Sequence, residues 1–419
     1  MNTIARKRIL DAMSEWELVT HLLPDGWREK AKELGAMRRA RGIRDPETLL
    51  RMLLVHLADG CSLKETALRV ERAGWGKISA VGLFKRLRAA QRWLAWMSQQ
   101  LRERPWPGDV RYRPLAVDAT TVCESGKTGS LWRVHWSVNL ASLQCEFFEL
   151  TDVRGGEKFA RFPIKEDDLI LGDRGYCNPA GIDYVRTAGG HVLVRLNPSS
   201  LPTYDRKDGA KIDVLGKVRG LTVGRVRSWA AWVKGPDGRW HRGRVVAVRR
   251  SLAAALRELR KQRRLAKSRE RHLGMRAKAM ARYVMVWTSV PASELPAGMV
   301  LRYYRRRWQL ELVFKRAKSI MGLGQLPKKS DASSRAWLSG KLLVAMLVEK
   351  LWGLSESFPP GDTALAPRRS RWREQSLLFR ELASALIPPI GLRAVLKAWC
   401  TCRRRLADEP RKRKRALLS

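Results

Sequence analysis

The chain has 419 residues, of which 45% are hydrophobic, so it is long enough for two or three domains with a substantial core. Its 83 Lys and Arg residues outnumber 40 Asp and Glu residues, which gives a formal net charge of +43. Such an excess of positive charge predicts a polyanionic partner, and DNA or RNA fits it far better than an acidic protein.

Several classes of protein do not fit this sequence. The longest strongly apolar run near the C-terminus, residues 342–348, is too short to span a bilayer. The first residues have no apolar signal core, so we expect a cytoplasmic protein without a membrane partner. The six cysteines are scattered, and only Cys400 and Cys402 are close, which predicts reduced thiols rather than a disulfide framework or a zinc site.

Residues 1–105 are predicted to be all-helical. Asp45 followed by Pro46 is typical of a helix start, and we expect that helix to continue through residue 57. Ser62 and Glu65 have the spacing of a capping box, and the helix they begin should end near residue 74. After a short turn, Ser79 is expected to cap the next helix.

This last helix combines a core-facing side with a basic side. The residues expected to face the core recur at helical spacing: Leu83, Leu87, Ala90, Leu94 and Met97. The basic residues lie largely elsewhere: Lys85, Arg86, Arg88 and Arg92. A helix, a short glycine turn and a basic helix are typical of a helix-turn-helix, so we predict that this region binds DNA ends. A helical hairpin with a solvated basic side is the alternative.

Residues 102–109 are predicted to be a linker, after which strand patterns replace helical ones. We expect strands at residues 113–118, 131–140, 145–153, 168–173 and 191–196, and a helix at 179–188. This order is typical of a mixed sheet flanked by helices.

Residues 199–282 are predicted to form a β-rich insertion followed by a basic helix. Residues 235–238, Gly-Pro-Asp-Gly, predict a turn between strands at 229–233 and 240–248. One long basic helix is expected over 251–282, for which a solvated helix and a DNA-contacting arm are equally good interpretations. Further on we expect a strand at 283–288, helices at 303–320, 332–352 and 372–386, and a basic tail at 411–415.

The helix predicted at residues 303–320 gathers polar side chains along one side. If it is a single helix, Tyr304, Arg307, Glu311 and Lys318 fall within a stripe about 60° wide. An ion pair between Arg307 and Glu311, four residues apart, is one explanation. A functional site is the other.

Three acidic residues have positions that suit phosphodiester chemistry. Asp118 and Asp173 each end a short, apolar predicted strand, and Glu311 lies among cations. Hard divalent ions prefer oxygen ligands such as carboxylates. Two such ions about 3.5–4 Å apart can activate an attacking oxygen and stabilise a leaving oxygen.

At these residues the sequence resembles the DDE transposases of bacterial insertion sequences, specifically the insertion-sequence-four family. The resemblance lies in AVDATT around Asp118, in GDRGY around Asp173, and in the residues from Tyr304 to Lys318. This last segment keeps every spacing of the Tyr-Arg-Glu-Lys signature of the family. The resemblance covers roughly residues 110–355.

The resemblance implies an α/β fold with an RNase H-like catalytic core that is interrupted by a β-rich insertion. The implied core comprises residues 110–198 and 283–355, with the insertion and basic helix at 199–282 and a helical C-terminal region at 356–419. It also implies that Asp118, Asp173 and Glu311 bind two Mg²⁺ or Mn²⁺ ions and carry catalysis. The implied contacts to transposon-end DNA are Tyr304, Arg307, Trp308 and Lys318, to which we add Lys315 of the same helix.

The sequence therefore predicts a DNA transposase that binds terminal inverted repeats and catalyses strand cleavage and strand transfer. Its expected partners are double-stranded DNA, both transposon ends and target, and a second copy of the chain when two ends are paired. Its expected location is the bacterial nucleoid. Two alternatives remain open: a non-catalytic, DNA-binding relic of a transposase, and a metal-dependent nuclease without strand transfer.

Overall fold

The computed structural model describes residues 13–37, 43, 45–102, 111–124, 130–268, 270, 272–327, 330–355 and 371–387. The predicted linker beyond residue 102, the close cysteine pair and the basic tail lie outside these residues. Two compact units are present. We call Met1–Arg102, Val122–Gly129 and Arg316–Ser419 the helical unit, and Glu103–Thr121 and Ser130–Lys315 the sheet unit. None of the described helices combines the length and the apolar character that crossing a membrane requires.

The described helices follow one another along the whole chain. The first group precedes the sheet: α1 (Glu15–His21), α2 (Trp27–Glu33), α3 (Pro46–Ala58), α4 (Leu63–Arg72), α5 (Ala80–Ala89) and α6 (Gln91–Gln100). The second group lies between or beside the strands: α7 (Pro179–Thr187), α8 (Val214–Val218), α9 (Leu252–Ser268), α10 (Met275–Met280), α11 (Ala297–Arg306) and α12 (Trp308–Ser319). The last two are α13 (Asp331–Ser355) and α14 (Arg371–Leu386).

Eight strands form the mixed sheet of the sheet unit, in the order β3-β2-β1-β4-β5-β10-β9-β6. Their bounds are β1 (Arg113–Glu124), β2 (Ser130–Asn139), β3 (Cys145–Asp152), β4 (Asp168–Gly172), β5 (His191–Arg195), β6 (Val226–Ala230), β9 (Arg244–Arg249) and β10 (Tyr283–Thr288). A small hairpin of β7 (Val233–Lys234) and β8 (Trp240–His241) lies apart from it, and β11 (Gln325–Leu326) pairs with the end of β1. Strands β1, β4 and β5 are mutually parallel, whereas β5, β10, β9 and β6 alternate in direction.

The helical unit is built on capped helices with apolar sides, as the sequence predicts. Asp45 accepts a hydrogen bond from the backbone of Thr48, and Ser79 accepts one from the backbone of Gly82. All five core positions predicted for residues 79–97 are buried. The predicted single helix is divided at Ala90 into α5 and α6. Helix α13 packs against α3, α5 and α6, so the core of this unit joins residues from both ends of the chain.

The sheet unit confirms most of the predicted strands and corrects four details. Strand β1 continues to Glu124, so Asp118 lies within it rather than at its end. The basic stretch 251–282 forms two helices, α9 and α10, instead of one. Strands β6 and β9 of the insertion extend the central sheet. The stretch 303–320 is also divided between two helices, because α11 ends at Arg306 and α12 begins at Trp308, with Arg307 between them.

Candidate active site

The strand register brings the first two predicted carboxylates to the same edge of the sheet. In the parallel pair of β1 and β4, Arg113 is opposite Asp168 and Ala116 is opposite Leu171. Asp118 is two residues beyond Ala116 in β1, and Asp173 is the residue directly after β4, so this register brings the two carboxylates close enough to interact electrostatically. The sequence could predict the two acids, but their pairing depends on the register.

The third carboxylate comes from α12, which packs on the sheet through its apolar side. Leu310, Val313 and Phe314 are buried, and the Phe314 ring meets the edge of Trp136 on β2 with 6.3 Å between ring centroids. Glu311 lies on the other side of the helix, and half of its side chain is exposed. The burial of one side of α12 therefore leaves Glu311 accessible.

One guanidinium group connects two of the three carboxylates. Arg307 donates from Nη1 to Asp118 Oδ2 at 3.1 Å and from Nη2 to Glu311 Oε1 at 2.8 Å. Only 11% of the Arg307 side chain is exposed. The ion pair between Arg307 and Glu311 that the sequence left open is therefore present, and Asp118 extends it to a bridge that helix spacing could not predict.

Negative charge is concentrated around Asp118. Burial raises the pKa of the Asp118 carboxyl to about 6, Arg307 opposes this shift, and Asp173 and Glu157 add to it. Burial and the charge of Asp173 also raise the pKa of Glu157. The site thus favours the protonated forms of the Asp118 and Glu157 carboxyl groups.

Glu157 is a fourth carboxylate at this site, and our sequence analysis missed it. A Cβ atom added at Gly175 would lie 2.7 Å from Glu157 Oε2 and 3.1 Å from Asp173 Oδ1, so those two oxygens are less than 6 Å apart. Any side chain at residue 175 would displace one of them. Glu157 lies in a loop between β3 and β4 and belongs to no periodic pattern, so the sequence contains no signal that identifies it.

The residues present fit a divalent cation. Asp118, Asp173 and Glu311 offer hard oxygen donors, and Arg307 already places positive charge between two of them. The buried Tyr176 hydroxyl has no hydrogen-bond partner among the residues that the structure describes, and its pKa is raised by burial and by Asp118, Glu157 and Asp173. Within the described part of the chain, however, no three acidic, histidine or cysteine side chains converge closely enough to hold a metal ion. A cation here thus requires the carboxylates to move from their partners.

The other residues of the predicted signature lie on α11 and α12. Tyr304 stands near Arg307, with 6.0 Å between the guanidinium carbon and the ring centroid. Trp308 is 53% exposed, which is unusual for so large an aromatic side chain. Lys315 is exposed, whereas Lys318 is half-buried and its pKa is lowered by burial. Lys318 lies on the same helix but belongs to the helical unit.

The predicted basic side of the N-terminal helices is formed as expected. Lys85 and Arg88 of α5 and Arg92 of α6 are exposed, and Arg86 is half-buried. The buried residues of α5 are Leu83 and Leu87. The division of the two sides confirms the helical pattern, while DNA binding by these residues stays a prediction.

Known proteins resemble this chain over most of its length. Residues 150–347 match the family described as the transposase DDE domain, a segment that contains Asp173 and Glu311 but begins after Asp118. The chain is 31% identical over 348 residues to a protein assigned as transposase InsL of insertion sequence element IS186A in Escherichia coli K12, covering 80% of this chain and 93% of that protein. It is also 31% identical to the transposase of insertion sequence element IS421 of Escherichia coli, with the same coverage.

Proposed function

The chain belongs to the insertion-sequence transposases that carry a DDE domain, and on that premise we propose that it binds the terminal inverted repeats of its own element and catalyses metal-dependent strand cleavage and strand transfer. The observation that carries this proposal is the position of Asp118 beside Asp173, with Glu311 joined to Asp118 through Arg307. Such a set of carboxylates, two from the sheet and one from a helix packed on it, has a clear use in phosphodiester chemistry.

The proposed fold is an RNase H-like core of the insertion-sequence-four type. Parallel strands β1, β4 and β5 would form its centre, and α12 would bring the third carboxylate to it. The β-rich insertion, residues 199–282, interrupts this core before Glu311. Residues 110–198 and 283–355 would be its two parts, with 1–105 as the DNA-end-binding domain and 356–419 as the C-terminal region.

The DDE domain implies the use of a divalent metal, and we assign two Mg²⁺ or Mn²⁺ ions to Asp118, Asp173 and Glu311. Ions of this kind supply activation of an attacking oxygen and stabilisation of a leaving oxygen. The residues of the chain provide positioning. Arg307 would exchange its carboxylate partners for a DNA phosphate, which a guanidinium group can bind through two parallel hydrogen bonds.

The remaining residues of the signature would hold the transposon end. Tyr304 and Trp308 offer aromatic surface for a sugar or an unstacked base. Lys315 and Lys318 offer point charges for backbone phosphates. Catalysis would rest on holding the scissile phosphate at the carboxylates, without a covalent intermediate between protein and DNA.

The proposed partners are double-stranded transposon ends, target DNA and a second copy of the chain. Two ends have to be held together for joined transfer, and a symmetric homodimer is the commonest way to pair two equal sites. The net charge of +43 favours association with DNA, so we place the protein on the bacterial nucleoid in the cytoplasm.

The test replaces Asp118, Asp173 and Glu311 with Ala one at a time. Each variant is expected to lose cleavage of a labelled inverted-repeat duplex in Mg²⁺ while it still shifts that duplex in a gel, because the carboxylates do not attract DNA. The matched control is Glu166→Ala, an exposed acid ahead of β4 that should leave cleavage unchanged. Cleavage at the wild-type rate by Asp118→Ala or Glu311→Ala would refute the assignment.

The same assay separates this function from its two alternatives. Wild-type protein that binds the ends but does not cut in either metal would be a DNA-binding relic. Protein that cuts but never joins the freed 3′ end to target DNA would be a nuclease. Joined products that depend on Asp118 support the transposase.

A further inference from the structure

Three arginines gather around a single carboxylate on the same sheet edge as the catalytic residues. Arg174 follows Asp173 directly, Arg195 is the last residue of β5, and Arg250 comes just after β9. Glu258 on α9 faces them, with Arg195 Nη2 at 3.5 Å and Arg250 Nη1 at 3.3 Å from its two oxygens. We call these four residues the arginine cluster. With three guanidinium groups and one carboxylate, it keeps two positive charges uncompensated.

The strand register places this cluster beside the catalytic carboxylates. In the parallel pair of β4 and β5, Gly172 is opposite Val194, so β4 ends just before Asp173 at the level where β5 ends with Arg195. Three adjacent strands therefore contribute charged residues to one region: β1 carries Asp118, β4 leads into Asp173, and β5 ends with Arg195. The charge is negative at β1 and at the end of β4, and it is positive at the end of β5.

The guanidinium groups of the cluster are buried without full hydrogen bonding. Arg195, Arg250 and Glu258 expose only 18, 15 and 16% of their side chains. Arg174 Nε, Arg195 Nη2 and Arg250 Nε are buried and have no hydrogen-bond partner among the described residues. Buried donors are usually satisfied, so three unsatisfied donors on neighbouring arginines indicate an acceptor that the chain itself does not supply.

Glu258 cannot be that acceptor for all three residues. Its Oε1 already accepts a hydrogen bond from Gln262 at 2.9 Å. Burial and repulsion by Arg195 lower the pKa of Arg250, although arginine stays charged in proteins. The cluster therefore has the charge and the free donors for a dianionic or polyanionic ligand.

We propose that the arginine cluster binds a backbone phosphate of the DNA strand that runs over the active site. Tyr304 lies close enough to interact electrostatically with Arg174, Arg250 and Arg307, so it connects the cluster to the catalytic carboxylates. A strand held at Asp118 and Asp173 would reach the cluster within a few nucleotides of the scissile phosphate. This inference rests on the proposed function and adds a second phosphate site to it.

The variant that tests the site is Arg250→Gln, which removes charge from the cluster and leaves the signature residues intact. The matched control is Arg264→Gln, which removes the same amount of positive charge. Arg264 is an exposed residue of α9, about 120° around the helix from Glu258. Binding is measured by fluorescence anisotropy without divalent metal, so that no cleavage occurs. We expect Arg250→Gln to weaken binding about tenfold and to lower the salt slope by roughly 1.

A set of duplexes with single methylphosphonate linkages locates the phosphate. In the wild type, a neutral linkage at one position near the cleavage point should weaken binding. That position can lie on the transposon side or on the flanking side of the cut. In Arg250→Gln that linkage should have no further effect, whereas Arg264→Gln should keep the full effect, because coupled partners are not additive. If every linkage has the same effect in Arg250→Gln as in the wild type, the cluster does not bind phosphate.

Glu258→Gln separates phosphate binding from a purely structural role. It removes the only carboxylate of the cluster, so a phosphate site should bind DNA more tightly, whereas a cluster that only holds α9 in place should lose affinity as Arg250→Gln does. The second result would overturn the proposal. A wild-type protein that does not prefer inverted repeats would count against the proposed function instead, since the salt slopes on any duplex still compare Arg250→Gln with Arg264→Gln.

Discussion

Arg307 has two possible sets of partners, and its replacement tests both. Because its side chain is nearly buried between Asp118 and Glu311, Arg307→Ala leaves two carboxylates without their cation. We expect cleavage to fall by roughly 10²-fold, the order of loss for a misplaced strand. We also expect a lower melting temperature, because the ion pairs of Arg307 with Asp118 and Glu311 are not exposed surface pairs.

The conservative variant Arg307→Lys is the control for charge. It keeps the positive charge but cannot form the two-pronged contact. Melting near that of the wild type together with slow cleavage would support a phosphate contact. Normal cleavage rates in both variants would reduce Arg307 to an ion-pair residue.

For Glu157 we predict a pH-dependent effect on stability. Burial and Asp173 raise its pKa in the folded protein, so its ionised form destabilises the fold and the effect grows as pH rises above about 4.5. Glu157→Gln should therefore melt higher than the wild type at pH 7 without metal, and the difference should shrink towards pH 4. Melting curves across this range check it, and a difference that is constant with pH would contradict it.

For Lys341 we predict an effect on stability with the opposite pH dependence. This α13 residue is 6% exposed, and burial lowers its pKa from 10.5 to about 8. Its charge thus costs stability below pH 8, at most about 3 kcal/mol, and the cost disappears as pH rises towards 10.5. Lys341→Met should raise the melting temperature at pH 7 and lose this advantage above pH 10.

The comparison residue is Lys350, which lies on the same helix but is partly exposed. Lys350→Met should change the melting temperature little at either pH. Equal stabilisation by both substitutions would show that burial of Lys341 is not the cause.

Among the elements, helices α4, α5 and α6 carry the prediction of end recognition. A fragment of residues 1–105 is unsuitable for the test, because α13 packs against α3, α5 and α6 and its removal would expose their apolar sides. The full chain with four residues changed to Gln is the better probe: Lys85, Arg86, Arg88 and Arg92. We expect it to lose the preference for an inverted-repeat duplex over a scrambled one at stated salt.

A variant with the same loss of charge elsewhere is the control. Four exposed cations of the insertion are changed to Gln: Arg206, Lys207, Lys217 and Arg219. This control should weaken binding to both duplexes and keep the ratio of their affinities. If both variants keep the ratio, the basic side of α5 and α6 is only a general DNA clamp.

For the whole molecule, charge and fold have separate consequences. The net charge of +43 predicts strong, salt-dependent association with any DNA, so it does not distinguish a transposase from other DNA-binding proteins. We propose that discrimination comes from the sheet unit, where Asp118 of β1 and Asp173, the residue after β4, lie near the basic end of β5.

The sequence alone determined the local structure and the identity of the main carboxylates. Helix caps at Asp45 and Ser79, the buried positions of α5 and α6, and most strands depend on residues close in the chain, so composition and spacing predict them. The type and spacing of Asp118, Asp173 and Glu311 also led to the prediction of metal-dependent phosphodiester chemistry at these residues, which stays a prediction.

Only the tertiary structure decided which charged groups meet. The strand register placed Asp118 beside Asp173 and Arg195 beside Asp173, and it depends on the pairing of strands that are far apart in the chain. The bridge of Arg307 and the approach of Glu157 depend on how α12 and a loop pack on the sheet. Such contacts arise from packing between distant segments, which leaves no periodic signal in the sequence.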